Sequence, residues 1–417
     1  MKYANSLKYV NSFDIAKSLS ELSQKRVREL CLALGRIHVG PKFIVVPAGC
    51  AGHASAVMLE SVIKSAGYRV GRITSDSDFD SRTMVYLDSE ISDIEDYNKC
   101  VSEIKNVMVR MSREHFWRQE ICFALSLLLC QLGGCEFVIL EGLSNESFCL
   151  DGICAPYELV VAPTVYSEIR ENNVKTVCEA IKRGVREVIS GNQRSGVYSE
   201  ISSACMMAGA RLDVTAKPTM CVSKTTARRI EFSYAERDGF VLKSPSNIVR
   251  DCAMLTIEAA LALRRGGVKM PWASISAGLE SCNNTGCFDI LSISPAVIVD
   301  SASSQEEITS VVETFDQTVE ESKAITVCIM TESADSLAHQ LLAFDGKNIE
   351  RLIVCGISED DAKRVSSVCP DVTACEKVSV AAKLVHSAMM ARSTVFCLGS
   401  VAFSREIKTE FIKLMGL

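Results

Sequence analysis

The sequence has no excess of positive charge, no long apolar run and no Cys-x-x-Cys spacing. Each absence removes a class of function. A net charge of -6 argues against nucleic acid as a main partner. The most apolar stretch, Ile121 to Leu132, is too short to cross a bilayer and predicts a buried helix. The opening residues Met1 to Lys8 are polar and predict no secretory leader. The expectation is a cytoplasmic protein with neither a nucleic-acid nor a membrane partner. The 19 cysteines are plentiful but scattered. Pairs such as Cys130/Cys135, Cys149/Cys154 and Cys282/Cys287 are wrongly spaced for zinc or redox sites. They predict reduced thiols packed as small core hydrophobes.

What is present suits a soluble α/β protein. The chain has 417 residues, 48% of them hydrophobic and 23% charged. That length exceeds one ordinary core and predicts two domains. Apolar strands are expected at Lys42–Pro47, Tyr68–Ile73, Glu136–Glu141, Glu158–Ala162 and Glu187–Ser190. Helices are expected between them at 56–66, 94–111, 120–132 and 174–183. Short β-prone runs at Thr219–Val222 and Arg229–Tyr234 suggest hairpins, and Ser246–Arg264 returns to helix. Alternation restarts after Pro295, with strands at Ala296–Asp300, Ala324–Met330, Arg351–Cys355 and Thr394–Leu398. The pattern predicts a doubly wound sheet domain over 1–290 with a small hairpin region. A smaller Rossmann-like domain is expected over 296–417, with Gly278–Ser294 as the hinge.

One segment points to chemistry. Phe43-Ile-Val-Val-Pro-Ala-Gly-Cys-Ala-Gly-His-Ala-Ser55 runs from a strand through a glycine-broken turn into a helix. That layout aims backbone N–H groups at one point and suits an anion. Where a nucleotide loop carries its lysine, this chain has His53. Gly49 and Gly52 are correctly placed, and Ser55 suits a magnesium ion. A plain strand-to-helix turn, with Ser55 and Gly52 as cap and turn residues, is the alternative.

Over nearly its whole length the chain resembles folylpolyglutamate synthase/dihydrofolate synthase, within the Mur ligase superfamily. The family loop Gly-Thr-Asn-Gly-Lys-Gly-Ser resembles Gly49-Cys-Ala-Gly-His-Ala-Ser55. The family's Gly-Tyr-x-Val-Gly strand is similar to Gly67-Tyr-Arg-Val-Gly71, and its Thr-Ser-Pro-His turn to Thr74-Ser-Asp-Ser77. Leu140-Glu-Gly-Leu-Ser144, Ile181-Lys-Arg-Gly-Val185, Gly286-Cys-Phe-Asp289, Asp300-Ser-Ala-Ser-Ser-Gln305 and Val395-Phe-Cys-Leu-Gly-Ser400 echo later motifs in order. The resemblance implies a Mur-ligase fold and ATP-dependent activation of a carboxylate for attack by an amine.

The resemblance also implies roles. Gly49, Gly52, His53 and Ser55 would hold ATP. Ser75 and Glu141 would join Ser55 around Mg2+. Lys182 would be the superfamily's carbamylated lysine, and Asp300 would meet the nucleotide across the domain gap. Several charges that the family uses are missing. The loop lysine is His53, the loop glycine after it is Ala54, and the linker arginine is Cys287. No histidine stands near Tyr166–Glu168, and no Gly-Gly-Arg follows Leu143. Charge-assisted contacts are worth about 1.5–3 kcal/mol each, and each ~1.4 kcal/mol is ten-fold in rate. The expectation is therefore a degenerate ligase homologue, weakly active or inactive, acting as a binding or partner protein. Its partner would be a small-molecule carboxylate or nucleotide in the interdomain cleft, or a related ligase subunit. The alternative is an active ATP-dependent amide ligase. Lys182 also suits a plain helix C-terminus, and Glu141 a strand-end residue near water.

Overall fold

In the computed structural model the described residues are 2–16, 19–74, 81–111, 115–142, 150, 152–165, 171–215, 219–283, 285–319, 324–365, 369 and 371–416. Helices α1 (Tyr3–Val10) and α2 (Glu21–Ala33) precede β1 (Lys42–Val46) and α3 (Cys50–Ser65). There follow β2 (Val70–Thr74), β3 (Val85–Leu87), β4 (Glu90–Ile91), α4 (Ile94–Met111), α5 (Arg118–Leu132) and β5 (Phe137–Glu141). Next come β6 (Tyr157–Ala162), α6 (Glu171–Lys182), β7 (Val185–Ser190), α7 (Ser195–Ala208) and β8 (Arg211–Val214). These strands form one sheet in the order β4-β3-β2-β5-β1-β6-β7-β8. Pairing is parallel from β2 to β8, and β3 and β4 add an antiparallel edge.

Both faces of this sheet are covered, so its central strands are apolar throughout. β1 is Lys-Phe-Ile-Val-Val, buried beyond its first residue. On α4, Tyr97, Cys100, Val101, Ile104 and Val107 recur at helical spacing and are buried. They join α2, α5, α6 and α7 over one face. The other face carries α3, α8 (Asn247–Arg265), α9 (Trp272–Ser281) and a three-stranded antiparallel sheet. That small sheet is β9 (Met220–Thr226), β10 (Arg229–Tyr234) and β11 (Arg237–Leu242).

A second sheet has the order β12-β13-β17-β14-β15-β16. Its elements are β12 (Asp289–Ile293), β13 (Ala296–Asp300), α10 (Gln305–Thr318), β14 (Ile325–Met330), α11 (Ala334–Leu341) and β15 (Ile349–Cys355). They continue as α12 (Glu359–Val365), β16 (Asp371–Cys375), α13 (Val378–Met390), β17 (Thr394–Leu398) and α14 (Val401–Met415). All pairs are parallel except β12 with β13. The expected doubly wound architecture with a smaller Rossmann-like sheet is present.

Two local expectations are corrected. The helix expected from residue 56 starts at Cys50, so Gly52, His53 and Ser55 lie inside α3 rather than in a loop. The expected hinge loses its first residues to α9, because Gly278 packs against α3. A Cβ on Gly278 would stand 2.5 Å from Val62 Cα. β12 begins at Asp289, so the second sheet reaches back across residue 290. Among the described residues no helix is long and apolar enough to cross a membrane.

Candidate functional site

The C-terminal ends of β1, β2 and β5 meet the N-terminal turns of α3, the place where open α/β sheets bind ligands. After Val46 the chain turns through Pro47 and Ala48 to Gly49, whose φ of 108° favours glycine. Gly49 caps α3. Gly52 then packs against the turn, where a Cβ would come 1.9 Å from the Pro47 carbonyl oxygen. The loop mouth is nearly filled. Its cavity holds about 20 Å³, room for a single water. Pro47, Gly52, Val177, Gln193 and Glu307 are among its lining, and Glu307 is the charged one among the described residues. Asn173 Nδ2 donates to the Ala48 carbonyl at 2.9 Å, closing it further.

A buried ionic network lies beside the loop. Strand alternation puts Arg72 of β2 and Glu141 of β5 on the face that carries α3. On α3, His53 and Glu60 stand two turns apart on one stripe. His53 Nδ1 lies 2.6 Å from Glu141 Oε1. Arg72 Nη1 donates to Glu141 Oε2, and Arg72 Nε donates to Glu60 Oε2 at 2.6 Å. The Ser89 amide donates to Glu60 Oε1 at 2.6 Å. All four ionisable side chains are buried. Burial works to raise the Glu141 pKa, but His53 and Arg72 together hold it down at about 2. The same carboxylates hold the Arg72 guanidinium charged against its own burial.

Asp300 ends β13 at the domain gap and is fully buried. Its Oδ2 accepts from the Phe288 amide and its Oδ1 from the Ala302 amide, both at 2.7 Å. Burial pushes its pKa up to about 8, against those two hydrogen bonds. Across the gap it faces Cys50 Sγ at 3.8 Å. Cys50 Sγ in turn lies 2.9 Å from Cys287 Sγ. Where the family places a loop threonine and a phosphate-reaching arginine, this chain therefore has two touching thiols.

Several expected positions fall elsewhere. Ser55 is the sixth residue of α3, so it is not the N-cap; its hydroxyl is buried, with Cys252 beside it. Lys182 is displaced from the site. It ends α6, is 56% exposed and pairs with Glu179 at 2.6 Å. The 12-residue helix is about 18 Å long. Gly184, just past it, accepts from Tyr157 at the start of β6, at the opposite edge of the sheet. The site-facing residues of α6 are instead Asn173, Val174 and Val177, all uncharged. Ser75, Tyr166–Glu168 and the segment after Leu143 lie outside the described residues.

These residues do not fit magnesium-bound ATP. Both oxygens of the carboxylate expected to take the metal are engaged by cationic or imidazole groups. His53 is turned to Glu141 rather than to the loop mouth. Among the described residues the mouth has room for one water, and the acid on its lining, Glu307, caps α10 through the Ser303 and Ser304 amides.

A larger cleft of about 770 Å³ opens on the other side of α3, between β2, β3 and α14. His53, Lys64, Arg72, Tyr86, Arg405 and Lys408 line it. Arg72 stacks on the Tyr86 ring at 4.3 Å, and Arg405 reaches the same ring from the second domain at 5.9 Å. The sequence reading missed Arg72 and Glu60. Their signal was present: a charged residue inside an apolar strand and another inside an apolar helix.

No family model and no curated protein matches the sequence. Solved structures do match its shape. The folylpolyglutamate synthase of Thermotoga maritima is 20% identical, with TM-score 0.74 over 100% of this chain and 97% of that one. The Mycobacterium tuberculosis enzyme complexed with ADP is 14% identical, with TM-score 0.78 over 98% and 99%. The Lactobacillus casei synthetase is also 14% identical, with TM-score 0.74 over 98% and 99%. The chain thus has the two-domain fold of the folylpolyglutamate synthases.

Proposed function

We propose that this chain is a binding protein on a ligase fold, without ATP-driven carboxylate activation, that takes a small organic anion in the interdomain cleft. The observation that carries the proposal is the state of Glu141. Its two oxygens are paired with His53 and Arg72, so its charge is already balanced by buried side chains where a metal-binding carboxylate would keep it for the ion. Phosphoryl transfer depends on clustered positive charge and bound metal, and the loop mouth offers Glu307 instead.

The cleft carries more cations than acids: Lys64, Arg72, Arg405 and Lys408 line it beside Glu60, Glu90 and Asp289. Its 770 Å³ is the size of a small-molecule site. Arg405 has no carboxylate partner among the described residues and rests on Tyr86. Lys64 donates to the Asp88 carbonyl at 2.7 Å, which leaves its charge uncompensated. One cation from each domain therefore borders the same space. A carboxylate-bearing ligand between them would draw the domains together.

Thermal-shift titration at fixed ionic strength tests this reading, because a ligand of the native state raises its melting temperature. Citrate and glutamate are expected to raise it without magnesium, and Arg405→Ala to abolish the rise. Millimolar ATP with magnesium is expected to add nothing beyond ATP alone. ATP hydrolysis by the purified chain, lost in Glu141→Ala, would overturn the proposal.

A further inference from the structure

We infer that Cys50 and Cys287 form a site of disulfide cross-linking that ties the start of α3 to the interdomain linker. The inference is independent of what the cleft binds. The two sulfurs are 2.9 Å apart although the residues are 237 positions apart in the chain. That is well inside ordinary contact, and a bond near 2.0 Å needs only a small side-chain movement. Cys50 is the first residue of α3, and Cys287 lies between the end of α9 and β12. The linker is fastened on both sides of Cys287. The Ser301 amide donates to the Gly286 carbonyl at 2.8 Å, and the Phe288 amide donates to Asp300. The Ser244 hydroxyl donates to the Cys287 carbonyl at 3.1 Å. These contacts hold the pair in register.

Other thiols also neighbour one another, Cys130 and Cys135 at the turn from α5 to β5 and a further pair inside the second sheet. Cys328 and Cys397 are register partners on β14 and β17. Exposing them requires opening a sheet, whereas Cys50 and Cys287, though buried in the core around α3, lie at a helix start and in a linker rather than on paired strands. A metal ion is a poorer occupant of the same place. Both oxygens of Asp300, the third group there, already accept backbone hydrogen bonds. A structural zinc site would need a fourth ligand besides.

The chemistry is thiol–disulfide exchange with a small-molecule disulfide as oxidant. One cysteine, as thiolate, attacks the reagent and expels one reagent thiolate, leaving a mixed disulfide. The second thiolate attacks the protein-bound sulfur and expels the other. Two thiol protons are released, and two electrons pass to the reagent. The Cys287 hydrogen bond favours the Cys50 thiolate, but burial and the acids Asp300 and Glu307 outweigh it and raise the thiol pKa. The Cys50 contact and burial raise that of Cys287. The dithiol is therefore slow to react at neutral pH and faster in mild alkali.

The test uses the full chain, purified reduced and treated at mildly alkaline pH with oxidised glutathione. Free thiols are then alkylated, and peptides are mapped by mass without reduction. The expected result is a cross-linked peptide joining residues 50 and 287, lighter by two hydrogens and reversed by dithiothreitol. It should be absent from Cys287→Ser. Alkylated, unlinked Cys50 and Cys287 after the exposed Cys221 has been modified would overturn the inference. So would zinc found at one ion per chain and lost in Cys287→Ser. Because the wild-type map is decisive alone, the test survives a variant that fails to fold.

Discussion

His53 Nδ1 stands 2.6 Å from Glu141 Oε1. The residue at the place of a phosphate-binding lysine is thus joined to the carboxylate at the place of a metal ligand. Arg72 completes the arrangement from β2 and passes it on to Glu60. The four side chains form one buried network that joins α3 to β2 and β5.

Glu141→Gln is expected to destabilise the chain by about 3 kcal/mol, since it leaves Arg72 buried with half its compensation. The linked pH effect has a definite sign. The folded pKa of about 2 is below the ordinary 4.5. The stabilisation is present above about 4.5 and is lost as pH falls toward 2. Urea unfolding of wild type and variant between pH 6 and about pH 3 should show the gap closing. A constant gap would show that the carboxylate charge is not what matters.

Gly52→Ala is expected to cost about 3 kcal/mol, because its Cβ would meet the Pro47 carbonyl at 1.9 Å. Gly278→Ala should be comparable, with Val62 Cα at 2.5 Å and no flexible side chain to yield. Melting temperatures of the two variants, with Gly346→Ala as a surface comparison, check the steric argument. Gly346 has a positive φ but open space around it, so its cost is conformational alone.

Lys182→Ala is expected to leave both melting temperature and ligand binding at wild-type values. Its ammonium is exposed and, among the described residues, pairs with Glu179 alone. A large loss of binding in this variant would contradict the placement of α6.

His53→Lys restores the residue of an ordinary nucleotide loop. No magnesium-dependent ATP binding is expected from it, measured by calorimetry. The new ammonium would still face Glu141, and the mouth beyond Gly52 would still hold only about 20 Å³. Micromolar ATP binding by this variant would show that the lysine alone had been missing.

Much of the fold was legible in the sequence. Strands such as Lys42–Val46, Ala296–Asp300 and Thr394–Leu398 are near-continuous apolar runs, and α4 carries its buried residues at helical spacing. Elements with weaker patterns were missed. β16 reads Asp-Val-Thr-Ala-Cys and is only partly buried, and β12 is an edge strand with a similar mixture. In the site, Gly49, Gly52 and Glu141 stand where the strand–turn–helix order puts them, at the start of α3 and the end of β5. Lys182 was misplaced because a short motif cannot say how far down its helix a lysine sits. Arg72 carries a local signal, a charge inside an apolar strand, but its partners Glu60 and Glu141 lie 12 and 69 positions away.

The order of residues determined the alternation of strand and helix, the glycine turn after β1 and the count of charges near it. Those features follow from side-chain periodicity and backbone freedom, which act over a few neighbouring positions. Which charges meet was decided by the tertiary structure. Glu60 and Arg72 are 12 positions apart, Arg72 and Glu141 69, and His53 and Glu141 88. Their pairing depends on β2 and β5 lying side by side with α3 packed over them. Hydrogen bonds and buried ion pairs form only within a few tenths of an ångström of their proper distances, and no local pattern carries that information.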